Sequence, residues 1–494
     1  MTVENLTRLI QSLSGAEKRH FRIITRKQGG EKDYLGLFEI IEQCDPADTH
    51  TIKDSFARQY PQSVIYNTAR YLSKLLTDSL IQAKMEKDTV FSILQDIMRV
   101  KILQDRSLHE DAHDLLCRIR RRASTAQQHL LEYYVRRQEL DYLSESKLFQ
   151  LEDQSLIESQ MKAKDILKTL NHIHDHHSLF ELLKYRLLHS GKVSSDKERK
   201  RLNDLILSEM ILVSGKAKNS FPAQKLHLLF QSFFFTDIGD DHSALQTFYA
   251  LNALFENNLP LLDKPPLDYL LTLNGILDSL HTLKQFEKIP FFLEKLNQLD
   301  NGEYPEYFRW RVRKGSLLYQ MVLYCQDSRF AEAVYYWQQT GQTILKQSPL
   351  TNEERQWELY LYSSLAYYGT GNWKKAHAGI HQAITQHKMQ PQWLVCKAIR
   401  LLDIIIYYEQ GDTDYLEYEI RSYRRFFRKR DALLQSENLL FKFIAASPAH
   451  SSKRLPEKTV RMLEQELSQI VIDKYENQLL KYFDYLAWIR LHLP

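Results

Sequence analysis

The stretch GNWKKAHAGIHQAI, Gly371–Ile384, decides the fold. On a helical period Trp373, Ala376, Ile380 and Ala383 share one face, and Gly371 stands just before them, where a chain can leave one helix and enter the next. The same pattern returns along the chain. In DSRFAEAVYYWQQT (Asp327–Thr340), Phe330 takes the place of Trp373, Ala333 that of Ala376 and Trp337 that of Ile380. In KQFEKIPFFLEKL (Lys284–Leu296) the places fall to Phe286, Ile289 and Leu293. GDDHSALQTFYAL (Gly239–Leu251) supplies Ala244, Phe248 and Leu251, and GDTDYLEYEIRSY (Gly411–Tyr423) supplies Leu416, Ile420 and Tyr423. The slot of Ala376 therefore recurs at 244, 289, 333, 376 and 416, at spacings of 45, 44, 43 and 40 residues. A unit of that length accommodates two helices and two short loops. A small residue in the second helix lets the first approach closely, and an aromatic three residues earlier fills the gap at the turn. Neither helix buries its apolar stripe alone, so successive units must stack.

The chain around this stretch resembles a tetratricopeptide repeat. AYYGTGNWKKAHAGIHQAI (Ala366–Ile384) has the glycine at the turn, the aromatic two residues on, the alanine three further, then an apolar residue and Ala383. The other units keep the aromatic-and-small pattern, lose several consensus residues and run longer than the family's 34. The resemblance is thus to the broad tetratricopeptide-like class. It implies an all-α solenoid of stacked antiparallel helical hairpins, roughly eight of them, over residues 85–446, with a helical module at 1–84 and a helical cap at 447–494.

Composition agrees with helices. Gly is 15 and Pro 13 of 494 residues, too few for a turn-rich β fold, and aromatics are plentiful, with 28 Tyr and 23 Phe. The 66 basic and 62 acidic residues nearly cancel, so no global attraction to nucleic acid is expected. Cys44, Cys117, Cys325 and Cys396 form no C-x-x-C pair, which fits a reduced, cytoplasmic chain. MTVENLTRLI lacks the features of a signal peptide, and the most apolar run, Leu401–Tyr408, is too short to span a bilayer.

Residues 1–84 read differently. Ser14-Gly15-Ala16-Glu17 is a capping box opening a helix. Gly29-Gly30 breaks that helix, and Asp45-Pro46 ends the next. TIKDSFARQY, a break at Pro61 and SVIYNTARYLSKLLTDSLIQ then outline two short helices, which is also the outline of a helix-turn-helix. The helix from Ser63 to Leu80 has only Arg70 and Lys74 as cations, so an N-terminal helical module is the main reading and a DNA-binding one the alternative. The opening LTRLIQSLSGAEKRHF is also similar to uncharacterised bacterial repeat proteins, a resemblance that implies no activity.

Three constellations could carry chemistry. His109-Glu110-Asp111-Ala112-His113 spells H-E-x-x-H, in which two imidazoles one helical turn apart hold zinc and the glutamate acts as base. No third ligand follows at the spacing zinc proteases use, and Asp111 and Asp114 fill places that are uncharged there. In the repeat register His109 falls at the aromatic slot, Ala112 at the small slot and Leu116 at the following apolar one, so the expectation is packing, with Ala112 buried between helices and His113 solvated and without metal. The histidines of NHIHDHHSLF (His172, His174, His176, His177) are read as a solvated loop turning at Asp175. Arg421, Arg424, Arg425 and Arg428 line one face of a helix and are the candidate partner-binding stripe. No phosphate loop, dinucleotide fingerprint or nucleophile elbow occurs. The expectation is a non-enzymatic scaffold with no cofactor, no catalytic residue and no metal, binding a protein or peptide. The alternative is a transcriptional regulator with an N-terminal helix-turn-helix-like module and a repeat sensor domain; nucleic acid is admitted only through that module, and no membrane contact is expected.

Overall fold

The computed structural model describes residues 2–26, 32–44, 49–146, 153–190, 193, 199–214, 220–302, 304–346, 353–386, 389–390, 393–427, 433–447, 457–470 and 474–493. Among them there is no strand: the chain is all-α.

Five helices begin it: α1 (Val3–Ser12), α2 (Gly15–Arg26), α3 (Asp33–Gln43), α4 (Thr49–Gln59) and α5 (Ile65–Lys87). The capping box at Ser14 forms as read. The Ser14 N–H donates to Glu17 Oε2 (2.7 Å) and the Glu17 N–H to Ser14 Oγ (3.2 Å). The five helices enclose their own apolar cluster around Leu6, Ile10, Phe21, Leu37, Phe38, Phe56 and Leu72. Gly29-Gly30 and Asp45-Pro46 lie outside the described residues. α5 runs through position 84 to Lys87, and Asp88 caps the next helix by accepting from the Val90 and Phe91 N–H groups.

Hairpins follow one another from there. α6 (Thr89–Asp105) packs on α7 (His109–Thr125), and α8 (His129–Ser146) on the long α9 (Asp153–Ser190), against which α10 (Asn203–Ser214) also lies. Next come α11 (Phe221–Asp237) with α12 (Asp241–Glu256), and α13 (Leu267–Thr282) with α14 (Ile289–Gln298). α15 (Glu306–Gln326) pairs with α16 (Phe330–Tyr336), which continues through a π-helical turn, Trp337–Gly341, into α17 (Gln342–Lys346). α18 (Glu353–Gly369) with α19 (Trp373–Gln386), α20 (Leu394–Gln410) with α21 (Thr413–Phe427), and α22 (Gln435–Ala446) with α23 (Glu457–Ile470) complete the series. First helices also pack on the first helix of the next hairpin: α13 on α15, α15 on α18, α18 on α20.

One turn recurs between first and second helices. Ser107, Gly239, Lys284, Ser328, Gly371 and Gly411 all have left-handed φ, between 54° and 73°. In each case the N–H of the following residue returns to the carbonyl five residues before it, at 2.8–3.2 Å. This is the Schellman closure, which satisfies the last carbonyls of one helix while the next begins at once. Five residues after each left-handed residue stand Ala112, Ala244, Ile289, Ala333, Ala376 and Leu416, all buried. Leu116, Phe248, Ile380 and Ala383 are buried beside them. Glycine is the low-cost residue at such a φ; Ser107, Lys284 and Ser328 hold it regardless. The close approach is equally concrete. A Cβ placed on Gly275 of α13 would come within 2.3 Å of the Phe248 ring, and one on Gly369 of α18 within 2.3 Å of the Phe330 ring.

Some expectations fail. His109 does not fill a gap. It is the first residue of α7 and exposed, whereas Phe286, Phe330 and Trp373 at the equivalent slot are partly buried. An imidazole that bonds to water gains less from burial than a phenyl or indole ring. His113 is not fully solvated but stacks on Tyr142, ring centroids 4.8 Å apart. The histidine run is no loop: α9 passes unbroken through it, and His176 is buried. Polar residues read as a turn, yet side chains four apart can share a helical face and pair there. The C-terminus is more than an end cap, because α23 forms a hairpin with α22, and the residues beyond it turn back over the body of the chain. α1 likewise touches α15, some 300 residues away in sequence.

Candidate functional site

Residues 474–493 lie along the first helices of the later hairpins as α24 (Lys474–Leu480) and α25 (Tyr485–His492). Glu476 anchors the start. Its carboxylate accepts from the Gln435 N–H (2.7 Å) and the Ser436 N–H (3.2 Å), first-turn donors that have no partner within α22. Tyr485 donates to Ser436 Oγ (2.8 Å). Further along, Lys481 Nζ meets Asp278 Oδ1 of α13 at 3.0 Å, and Tyr482 reaches Glu358 of α18 at 3.4 Å. The Trp488 indole N–H donates to Glu409 of α20 at 2.8 Å, and His492 Nε2 stands 3.3 Å from the same carboxylate. Trp488 packs edge-on to Tyr408 and Phe443, and Phe483 edge-on to Tyr368.

Under this strap lies a polar centre inside an apolar one. Arg355 pairs with Glu358 (2.9 Å) and lies 3.9 Å from Asp278, with its guanidinium over the Tyr319 ring. Tyr319 donates to the Asn274 carbonyl (3.1 Å), and Tyr362 shares a hydrogen bond with His281 Nε2 (3.1 Å). Burial pulls the Lys481 ammonium down, but Asp278 and Glu358 more than offset it and hold its pKa above the ordinary lysine value. Burial, with the Lys481 cation behind it, pushes His281 down to about 3, so its ring is neutral. Burial and the cations of Arg355 and Arg311 bring Lys314 to about 7 despite Glu358. These groups bring cations and carboxylates into contact beneath the strap.

Under the strap, α18 and α20 have no solvent-exposed side along their middle turns. Every residue from Gln356 to Ala366 and from Val395 to Ile406 is buried. A helix covered on one face shows a stripe; one covered on both is buried all round. The apolar run at Leu401–Tyr408 carried that signal in the sequence. The early hairpins differ. On α6, Leu94, Met98 and Ile102 share a face at four-residue spacing and are 42%, 52% and 59% exposed. Leu130 and Tyr134 of α8 are exposed at the same spacing. A cleft of about 680 Å³ runs along one edge of the strap, between the turns at Gly239–His242 and Thr282–Lys284 and the side chains of Asp484 and Arg490.

The residues singled out in the sequence fall elsewhere. Arg421, Arg424 and Arg425 are exposed on α21, and Arg428 lies outside the described residues. Arg421 pairs with Glu417 (2.8 Å), and Arg424 covers the Phe441 ring, so two of the three are engaged within the chain. Ile420, Tyr423 and Phe427 form the opposite, packed face. His176 Nδ1 stands 3.4 Å from Glu209 Oε2, and His227 bonds the other carboxylate oxygen. Among the described residues no group of three His, Cys, Asp or Glu is arranged to hold a metal ion, and no helix is long and apolar enough to cross a membrane. Comparison with protein-family models, curated proteins and solved structures returns no match for this chain.

Proposed function

We propose that the chain is a non-enzymatic, cytoplasmic protein-interaction scaffold, a tetratricopeptide-like α-solenoid that binds a peptide or helix on the concave face made by its first helices. One observation carries the reading. The first helices of the later hairpins hold a helical segment, residues 474–493, while those of the early hairpins present exposed apolar side chains at helical spacing. Exposed stripes of this kind are the usual anchors for an amphipathic partner helix. The recurrent turn and the packing of α13 on α15, α15 on α18 and α18 on α20 support the solenoid.

Affinity capture with the intact chain tests it. A discrete partner is expected to be retained by the wild type and lost from Leu94→Ser/Met98→Ser/Ile102→Ser, whose substitutions touch no packed side. Nothing retained in stoichiometric amount, or retention indifferent to the stripe, sinks the reading.

A second reading draws on α5. Its outer side exposes Tyr66, Arg70, Tyr71 and Lys74, cations interleaved with aromatics just after the break at Pro61. That pattern suits a regulator whose N-terminal module touches DNA. Mobility shift of random duplex by the intact chain at moderate salt, lost in Arg70→Ala/Lys74→Ala, would support it; no retained duplex removes it.

A further inference from the structure

We propose that the face of α13, α18 and α20 is a binding surface for a helical segment bringing a lysine and aromatic hydrogen-bond donors, and that residues 474–493 are its built-in, displaceable occupant. The proposal rests on the scaffold reading and names the partner's chemistry and its regulation.

The face is written in carboxylates. Each of the three helices contributes one: Asp278 from α13, Glu358 from α18 and Glu409 from α20. Each is met by a donor from the strap: Lys481, Tyr482, and the Trp488 indole with His492 beside it. A partly or fully buried carboxylate that loses a donor loses favourable energy, so occupation stabilises this face. A segment with the same donors replaces the strap bond for bond, and the exchange then costs little. A segment lacking the lysine removes the ammonium 3.0 Å from Asp278, while Arg355 stays farther off at 3.9 Å. That asymmetry makes the face selective for basic-aromatic helices over acidic ones.

Two features mark the strap as an occupant rather than a fixed part of the hairpin stack. Its hydrogen bonds, ion pairs and ring contacts run to first helices and a turn: to Asp278, Glu358, Tyr368, Glu409 and Ser436, and from Asp484 to Lys284 at the α13–α14 turn at 3.0 Å. The cleft of about 680 Å³ also leaves one edge of the strap open beside that turn. Tethering gives the strap an effective concentration of order millimolar. A free peptide at micromolar concentration therefore does not displace it from the wild type, and does so once the strap's own grip is weakened.

The probe is a fluorescein-labelled synthetic peptide of residues 474–493, titrated into the intact chain and followed by anisotropy. Lys481→Ala/Trp488→Ala in the full chain is expected to bind it at least tenfold more tightly than the wild type, and adding Asp278→Asn to lower that binding again. Equal binding to all three proteins, or none to a variant that keeps its helical circular dichroism, overturns the proposal. Hydrogen exchange on the unmodified chain decides the matter even where the variant does not fold. Amides of 474–493 are expected to exchange through an opening that leaves α13, α18 and α20 protected. Exchange of the strap only together with those helices means that it never leaves, and the proposal fails. Partner capture through the α6 stripe is a separate measurement, so the scaffold reading can survive that result or fall without it.

Discussion

The first helices of α6 and α8 and those of α13, α18 and α20 have the same place in their hairpins and opposite surfaces. The early ones show leucine, methionine, isoleucine and tyrosine to solvent; the late ones lie beneath α24 and α25 and carry charge at their centre. Charge beneath cover and apolar surface in water are each unfavourable alone. Both follow from the proposed reading, in which helices dock on this face and fill it at one end.

The largest break in that contrast comes from Asp278→Ala. It strips the main counter-ion from Lys481, whose side chain is only 3% exposed, and is expected to cost about 3 kcal/mol in urea unfolding. A loss under 1 kcal/mol would mean that the covered face is as tolerant as the open one.

Acid acts next, and in the covered half it acts through His281. His281 titrates at about 3 in the folded chain against 6.5 ordinarily, so the unfolded chain binds a proton across that window and the folded one does not. Stability therefore falls as pH drops from 6.5 towards 3, by a few kcal/mol, and this contribution is flat below 3. His281→Gln should show a shallower decline in thermal melts over the same range; parallel curves would refute the assignment.

Gly275→Ala probes the packing between hairpins. Its methyl would enter the Phe248 ring, and the expected loss is about 2 kcal/mol by chemical denaturation. Ser328→Gly should act in the other direction. Relief of a left-handed serine is worth about 1 kcal/mol or less, seen as a raised melting temperature; a lowered one would show that the turn is not strained. Smallest of all, Leu94→Ser on the open face should shift stability by no more than about 0.5 kcal/mol. A larger loss would place α6 in the core and erase the comparison.

What could be read in advance follows the range of the interactions. The hairpin turns were visible because everything they require lies within about ten residues: a left-handed position, a cap and a buried small residue five places on. The hairpins that turn at Lys284 and Ser328 fell into the alignment without a glycine to mark them, because the apolar slots after them kept the register. His109 followed the register and still lies in solvent, since spacing fixes a position and not the gain from burying the side chain there. The histidines of α9 misled because their polarity resembles a loop, while the Glu209 that meets His176 comes from another helix. Of the arginine stripe, Arg421, Arg424 and Arg425 are exposed on α21, but Glu417 and the Phe441 ring engage two of them.

The sequence by itself determined that this protein is helical, where its hairpins turn and which side of most helices is apolar, because those properties are set by neighbours along the chain. That α18 and α20 would be buried all round was hinted at by their composition. What covers them was not, since an apolar surface states only that water must be excluded. Lys481 and Asp278 stand 203 residues apart, and no local pattern pairs them. Only the tertiary structure brought the two together, and with them the difference between the closed face and the open one.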